Sequence, residues 1–265
     1  MNTTSDGEAM DGQEAKNHQE ATKDQEGTVL HSLCGRTVIR LGDLVVKSGH
    51  LRPQEGETLR FIIANTTIHI PKVHDIRWED GKVDALIMDY MPGKPLDKAW
   101  DTLSSSQKLS IANKLYSYMK QLRELKGHYI RAINWGKAII GRIASIEGGP
   151  FDTEAQFNEF ILGDFVKIAP DMLRHYTKFA LMDDHEIVFT HSDFAPRNIL
   201  MEAGRVTAIL DWEYAGWYPA HWEYCQALRQ LRPMFDWPEY LARILPPKFE
   251  REYIGMTFLA RISRH

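Results

Sequence analysis

Apolar residues in this 265-residue chain alternate with polar ones early on and recur at three- and four-residue intervals after about residue 100. From Arg36 to Lys47, in RTVIRLGDLVVK, two short runs rich in β-branched residues flank Gly42-Asp43. That pattern predicts a hairpin whose second strand ends near Lys47. In RPQEGETLRFIIANT, Pro53 stands where the first helical turn tolerates it. Leu59, Ile62 and Ile63 then share one face of a short helix, with Glu57 on the other side. IHIPKVHDIRW and VDALIMDYMPG read as further strands, the second closed by Pro92-Gly93. The expectation is a lobe of strands carrying one helix.

Beyond that point the periodicity becomes helical. Ser104 with Gln107 three residues on forms a capping-box signature, and Leu109, Ala112, Leu115, Met119 and Leu122 follow at helical spacing until Gly127. Thr153 with Gln156 repeats the signature ahead of Phe157, Phe160, Ile161 and Phe165. Residues 222 to 262 are expected to be largely helical, broken near Pro233 and Pro246-Pro247. Among these helices EIVFT, NILME and VTAIL are short strands, and Ala203-Gly204 joins the last two as a hairpin.

Composition changes the picture at the start of the chain. Residues 1–28 hold seven acids and two lysines among few apolar residues, too little buried surface to offset the entropy of ordering, so an acidic disordered tail is expected there. Residues 29–92 then form the N-terminal lobe and residues 93–265 the C-terminal lobe. A net charge of −4 lacks the basic footprint of a nucleic-acid binder, and no apolar stretch approaches the roughly 20 residues of a membrane span. Two cysteines, Cys34 and Cys225, lie far apart and in no metal-ligand spacing, which fits a reducing compartment. The polar, acidic start predicts no signal peptide, and the cytoplasm is the expected location.

The candidate chemistry lies in FTHSDFAPRNILMEAGRVTAILDWEY, residues 189 to 214, where His191, Asp193, Asn198 and Asp211 sit on strand ends and loops. Phosphoryl transfer from a nucleotide needs a carboxylate to accept the hydroxyl proton, an amide and a second carboxylate to hold a divalent metal, and a cation on the phosphates. Asp193, Asn198, Asp211 and Lys47 supply that set. Oxygen ligands from Asn and Asp suit Mg²⁺, whereas nothing in the spacing of Cys and His suggests zinc. Asp and Asn also cap strand ends routinely, which is the plain alternative for these positions. His191 reads as a hydrogen-bonding brace of the loop rather than a proton carrier.

HSDFAPRN followed by ILDWE resembles the H-x-D-x-x-x-x-N loop and metal-binding aspartate of the aminoglycoside phosphotransferase and choline kinase branch of the protein-kinase-like fold. The lysine of VVK and the hinge-like LIMDYMPG stand in the family's order, and the resemblance covers roughly residues 36 to 262. It implies a two-lobed α+β fold, with a small, abbreviated β-rich N-lobe and a larger, mainly helical C-lobe. It also implies an enzyme that uses ATP and Mg²⁺ to move the γ-phosphate to a hydroxyl of a small molecule. By the same resemblance Asp193 is the catalytic base, Asn198 and Asp211 are the Mg²⁺ ligands, Lys47 is the phosphate lysine and Glu57 its helix partner. Main-chain groups of Asp89 and Met91 would hold the adenine. Glu55, two residues before Glu57, is an alternative acid for the pairing.

Departures from the pattern refine this. Ala195 stands where protein kinases place a lysine, DWE replaces D-F-G and no A-P-E follows, which favours a small-molecule acceptor over a protein. Only Gly35 and Gly42 occur in the stretch ahead of Lys47, so no glycine-rich loop is readable, and a noncatalytic nucleotide-binding scaffold is the other reading. The aromatic stretch DWEYAGWYPAHWEY either packs a core or offers ring faces to an amine-bearing acceptor, with Glu213 or Glu223 adding charge.

Overall fold

The computed structural model describes residues 27–140, 146–165, 169–229 and 234–262. The expected tail therefore lies outside the described residues except for its last two positions, as does the break at Pro233. The chain divides into two compact units, one ending at Leu51 and taking in Val73–Tyr90, the other formed by Arg52–Lys72 with the chain from Met91 onward.

The first unit is a five-stranded sheet of order β1-β2-β3-β5-β4, antiparallel throughout: β1 (Thr28–Leu33), β2 (Arg36–Leu41), β3 (Leu44–Gly49), β4 (Val73–Glu79) and β5 (Lys82–Asp89). The Gly42-Asp43 hairpin forms as expected, with Leu41 opposite Leu44. The strand β1, with all its positions exposed, was not foreseen, because it falls where the polar tail gives way to a run with no buried alternation. Cys34-Gly35 and Asp80-Gly81 adopt the paired positive-φ conformation of tight turns that match strand twist. On β3 the pleat sends Val45 and Lys47 to one buried face, which places the lysine between partners in register with Val38 and Leu86.

The second unit opens with α1 (Gln54–Asn65), which buries Leu59 and Ile62 but leaves Ile63 44% exposed, so the apolar face is narrower than its spacing implied. Its segment is fastened within this unit. The Phe61 ring lies 5.2 Å from Phe189 and 5.3 Å from Trp217, Thr67 N–H donates to Gln121 Oε1 at 2.7 Å, and Ile209 N–H donates to the His69 carbonyl at 3.0 Å.

There follow β6 (Lys94–Pro95), the short α2 (Leu96–Ala99) and the long α3 (Ser105–Glu124). The capping box at Ser104 and Gln107 is present in both directions, while Leu109 is 40% exposed and Ile111 takes its place in the buried stripe. Next come β7 (Arg131–Ala132), β8 (Ala138–Ile140), β9 (Ile146–Gly148), α4 (Glu154–Phe165) and α5 (Asp171–Ala180). Gln156 N–H donates to Thr153 Oγ1 at 3.2 Å, so the second capping signature also holds. β10 (Ile187–Thr190), β11 (Ile199–Glu202), β12 (Arg205–Ile209), β13 (Gly216–Pro219), α6 (Trp222–Arg229), α7 (Trp237–Ile244) and α8 (Glu250–Ile262) complete the unit.

Its small sheets, β10-β13-β7 and β12-β11-β6, carry the loop that the sequence singled out. Around them Trp100, Trp212, Trp222, Trp237, Tyr118 and Phe157 are fully buried. The aromatic stretch from Asp211 to Tyr224 is therefore core: Trp212, Trp217, Tyr218 and Trp222 are all buried, and Tyr218 stacks on Trp222 at 5.4 Å. Among the described residues no helix is long and apolar enough to cross a membrane.

Candidate active site

β10 delivers the chain to His191 at the centre of the second unit, and a turn at Pro196–Asn198 returns it into β11. Asp193 is fully buried. Both its carboxylate oxygens accept from Arg197 Nη2 at 2.6 Å. Asn198 Nδ2 donates to Asp193 Oδ2 and to the Asp193 carbonyl, each at 2.9 Å. Two charge-assisted contacts and an amide thus surround the buried carboxylate.

The hairpin decides where Asp211 goes. Ala203 and Gly204 turn with positive φ, Ile199 pairs with Ile209, and Leu210 N–H donates to the Asn198 carbonyl at 2.8 Å. Asp211 follows directly, so residues 13 apart in sequence are held side by side at the open end of one ladder. Asp211 and Ser192 have φ of 67° and 65°, a left-handed conformation that costs non-glycine residues free energy and collects at functional loops.

His191 holds these pieces together. Its Nε2 donates to the Leu210 carbonyl at 3.0 Å, and its Nδ1 accepts the Asp193 N–H at 3.2 Å, which fixes the neutral tautomer protonated on Nε2. Burial, opposed by the charge of Asp193, holds its pKa below the usual histidine value. Beneath the loop Glu223, on α6, accepts from the His191 N–H at 2.5 Å and from the Ser192 N–H at 3.2 Å. Burial pushes the Glu223 carboxyl up to about 7 despite those donors and Arg123. Glu213 is also buried, within 3.5 Å of Arg52. Neither glutamate thus faces solvent as an added charge for an amine-bearing ligand.

The other residues named from sequence stand as follows. Lys47 is 8% exposed on β3, an unusual degree of burial for lysine. On α1 it is Glu55 that is buried, at 3% exposure, whereas Glu57 lies at the helix surface and pairs with Arg60 at 2.7 Å. Asp89 ends β5 with Oδ1 2.6 Å from His74 Nε2, and Met91 follows it, half-buried. Within the second unit Asp193, Asn198 and Asp211 converge. Arg197 and Glu223 escaped the sequence reading as parts of the loop. Arg197 carried a usable signal, a cation four residues after Asp193, while Glu223 lies 30 residues away and gave none.

The residues fit a hard divalent cation. Asn198 spends Nδ2 on Asp193, which leaves its Oδ1 as the atom that would face a metal, and Asp211, two residues past β12, would add a carboxylate to make an all-oxygen donor set.

A family model described as "Phosphotransferase enzyme family" matches residues 34–246, and the chain belongs to that family. It is a phosphotransferase. Among solved structures, a GDP and kanamycin complex of APH(2")-IIia is 15% identical, with a TM-score of 0.65 over 95% of this chain and 90% of that one. The ADP-bound aminoglycoside phosphotransferase APH(2'')-Ib is 15% identical, with a TM-score of 0.60 over 95% and 86%. Aminoglycoside phosphotransferase APH(4)-Ia is likewise 15% identical, with a TM-score of 0.58 over 96% and 98%. At such identities the likeness establishes the fold, the α+β protein-kinase-like fold of these enzymes. No curated protein sequence matches the chain.

Proposed function

We propose that this phosphotransferase moves the γ-phosphate of ATP, with Mg²⁺, to a hydroxyl of a small molecule, in a reducing, cytoplasmic setting suited to its two free thiols. The observation that carries this reading is the convergence of Asp193, Asn198 and Asp211 on one buried loop and hairpin. Asp193 is the base, the carboxylate that orients the acceptor hydroxyl and takes its proton late. Asn198 and Asp211 would hold Mg²⁺, which supplies charge neutralisation on the phosphates. Lys47 takes the phosphates, and main-chain groups of Asp89 and Met91 take the adenine. A helix acid that must work desolvated is better supplied by Glu55 than by Glu57, because only Glu55 is buried. The solved relatives are described as complexes with gentamicin and kanamycin, which makes aminoglycosides the first acceptors to try.

The test is ATP consumption across aminoglycosides, choline, amino alcohols and sugars, with two variants alongside. Asp193→Asn should lose turnover by about 10² to 10⁴ while binding Mg·ATP almost normally, because the base acts on the acceptor. Asp211→Asn should lose both turnover and nucleotide affinity, and EDTA should abolish productive binding until Mg²⁺ or Mn²⁺ is restored. Equal loss of nucleotide affinity in the two variants would sink this division of labour. One observation favours a second reading, a noncatalytic nucleotide-binding scaffold: the Asp193 carboxylate is fully covered and ion-paired. Wild-type binding of Mg·ATP with no turnover on any acceptor would select it.

A further inference from the structure

A second cluster of ligating groups lies within the helical part of the second unit, built from residues that the phosphotransfer reading does not use. Glu154 opens α4, His185 stands just ahead of β10, and His221 stands just ahead of α6. Each offers one ligand atom, and these atoms all lie within 4.8 Å of one another. Glu154 and His221 are 4% and 1% exposed. Glu154 Oε1 is 3.4 Å from His221 Nδ1 and 2.9 Å from His185 Nδ1. On its far side His185 Nε2 lies 3.7 Å from Glu252 Oε1, contributed by α8. The rings of His185 and His221 meet edge to face at 4.7 Å, and Phe249 covers both.

His221 is the feature that needs explaining. Both of its ring nitrogens are buried without a hydrogen-bond partner, the contact of Nδ1 with Glu154 being close but misaligned. A buried imidazole normally satisfies at least one nitrogen, and leaving both bare costs desolvation free energy with nothing in return. A metal ion is a partner of another kind, since it accepts a lone pair where no donor hydrogen is available. Zinc binds imidazole nitrogen and carboxylate oxygen at about 2.0–2.2 Å, so two atoms on one tetrahedral ion stand roughly 3.4 Å apart. The separation of Glu154 Oε1 from His221 Nδ1 equals that edge. The Glu154–His185 separation would open by about half an ångström as a proton gives way to the ion. Glu252 is placed to accept from the outer nitrogen of His185, the carboxylate–histidine–metal arrangement that orients ligating imidazoles. Two imidazoles and one carboxylate favour a transition ion of the zinc type over Mg²⁺.

We propose that Glu154, His185 and His221 form a zinc-type metal site, separate from the phosphotransfer loop, that ties α4, the entry to β10 and the entry to α6 together, with Glu252 orienting His185. The site is structural in role, and it stands whether or not the phosphotransferase turns over any given acceptor.

The experiment titrates the chelator-stripped full-length protein with Zn²⁺ against a chromophoric competitor and repeats the titration with Co²⁺, whose visible spectrum reports its ligands. Expected are one equivalent bound, a raised melting temperature and a tetrahedral Co²⁺ spectrum lacking thiolate bands. His221→Phe fills the space without a ligand and should weaken zinc binding at least about 100-fold, with circular dichroism confirming a folded chain. Glu252→Gln should weaken it about 10- to 100-fold with the stoichiometry kept. Cys34→Ser should change neither stoichiometry nor affinity, which separates the site from the exposed thiol. Failure of the wild type to bind one equivalent, thiolate bands in the Co²⁺ spectrum, or a folded His221→Phe that binds zinc like wild type would each overturn the proposal.

Discussion

Asp193 and Glu223 are both fully buried carboxylates within one loop assembly, yet their surroundings differ in kind. Asp193 has a guanidinium on both oxygens, whereas Glu223 has mainly backbone N–H groups, so burial dominates and its carboxyl rises to about 7. The folded chain then holds the Glu223 proton more tightly than the unfolded chain, whose value is near 4.5. Stability contributed by this group is fully present below about 4.5 and is lost as the pH climbs through about 7. Urea unfolding across that window should show this decline, and Glu223→Gln, which carries no proton to lose, should flatten it; an unchanged slope would refute the assignment. Arg197 is the matching case at Asp193. Replacing it by Ala leaves a buried carboxylate without its cation and should cost on the order of 2 to 3 kcal/mol, somewhat below the usual range for a broken buried pair because Arg197 is 20% exposed. Arg197→Lys should recover part of that loss in the same unfolding measurement, and equal losses in both variants would count against a charge effect.

At the scale of elements, capping and turn chemistry behave locally, as sequence rules assume. The capping box at the start of α3 needs only Ser104, Gln107 and their own backbone, so it could be read directly from four consecutive residues. Ser104→Ala should cost about 1 kcal/mol of stability and leave turnover unchanged, since α3 carries no residue of the loop. A loss of turnover beyond that expected from partial unfolding would show that α3 positions the site. The buried stripe of the same helix was less legible: Leu109 faces solvent and Ile111 does not, because which side a helix buries depends on the elements packed against it. On α1 the acids could not be ranked from sequence for the same reason. Glu55 and Glu57 are two residues apart; the Glu57–Arg60 pair is local to the helix, but only the docking of α1 through Phe61 puts Glu55 inside.

For the molecule as a whole, the compositional break near Val29 coincides with the start of β1 at Thr28. Removing residues 1–26 should therefore leave the melting temperature and nucleotide affinity nearly unchanged, which thermal denaturation and calorimetry will measure. Extending the deletion through Leu33 removes the edge strand β1 and should lower the melting temperature, because β2 then presents an unpaired edge. A large drop from the shorter deletion would show that the acidic segment contributes to the fold.

Sequence alone determined the alternation of strands and helices and the hairpin at Ala203-Gly204, and it singled out Asp193, Asn198 and Asp211 as one set, because those depend on spacing and on local turn chemistry. It also pointed to the family, which the match over residues 34–246 shows. Tertiary structure decided what lies across the chain from each of these residues. It placed Glu223 under the loop from 30 positions away, turned the aromatic stretch inward, and gathered Glu154, His185 and His221 from three separate elements. No periodicity encodes such meetings. They follow from burial, which favours arrangements in which polar groups removed from water meet partners that the packed chain brings from elsewhere.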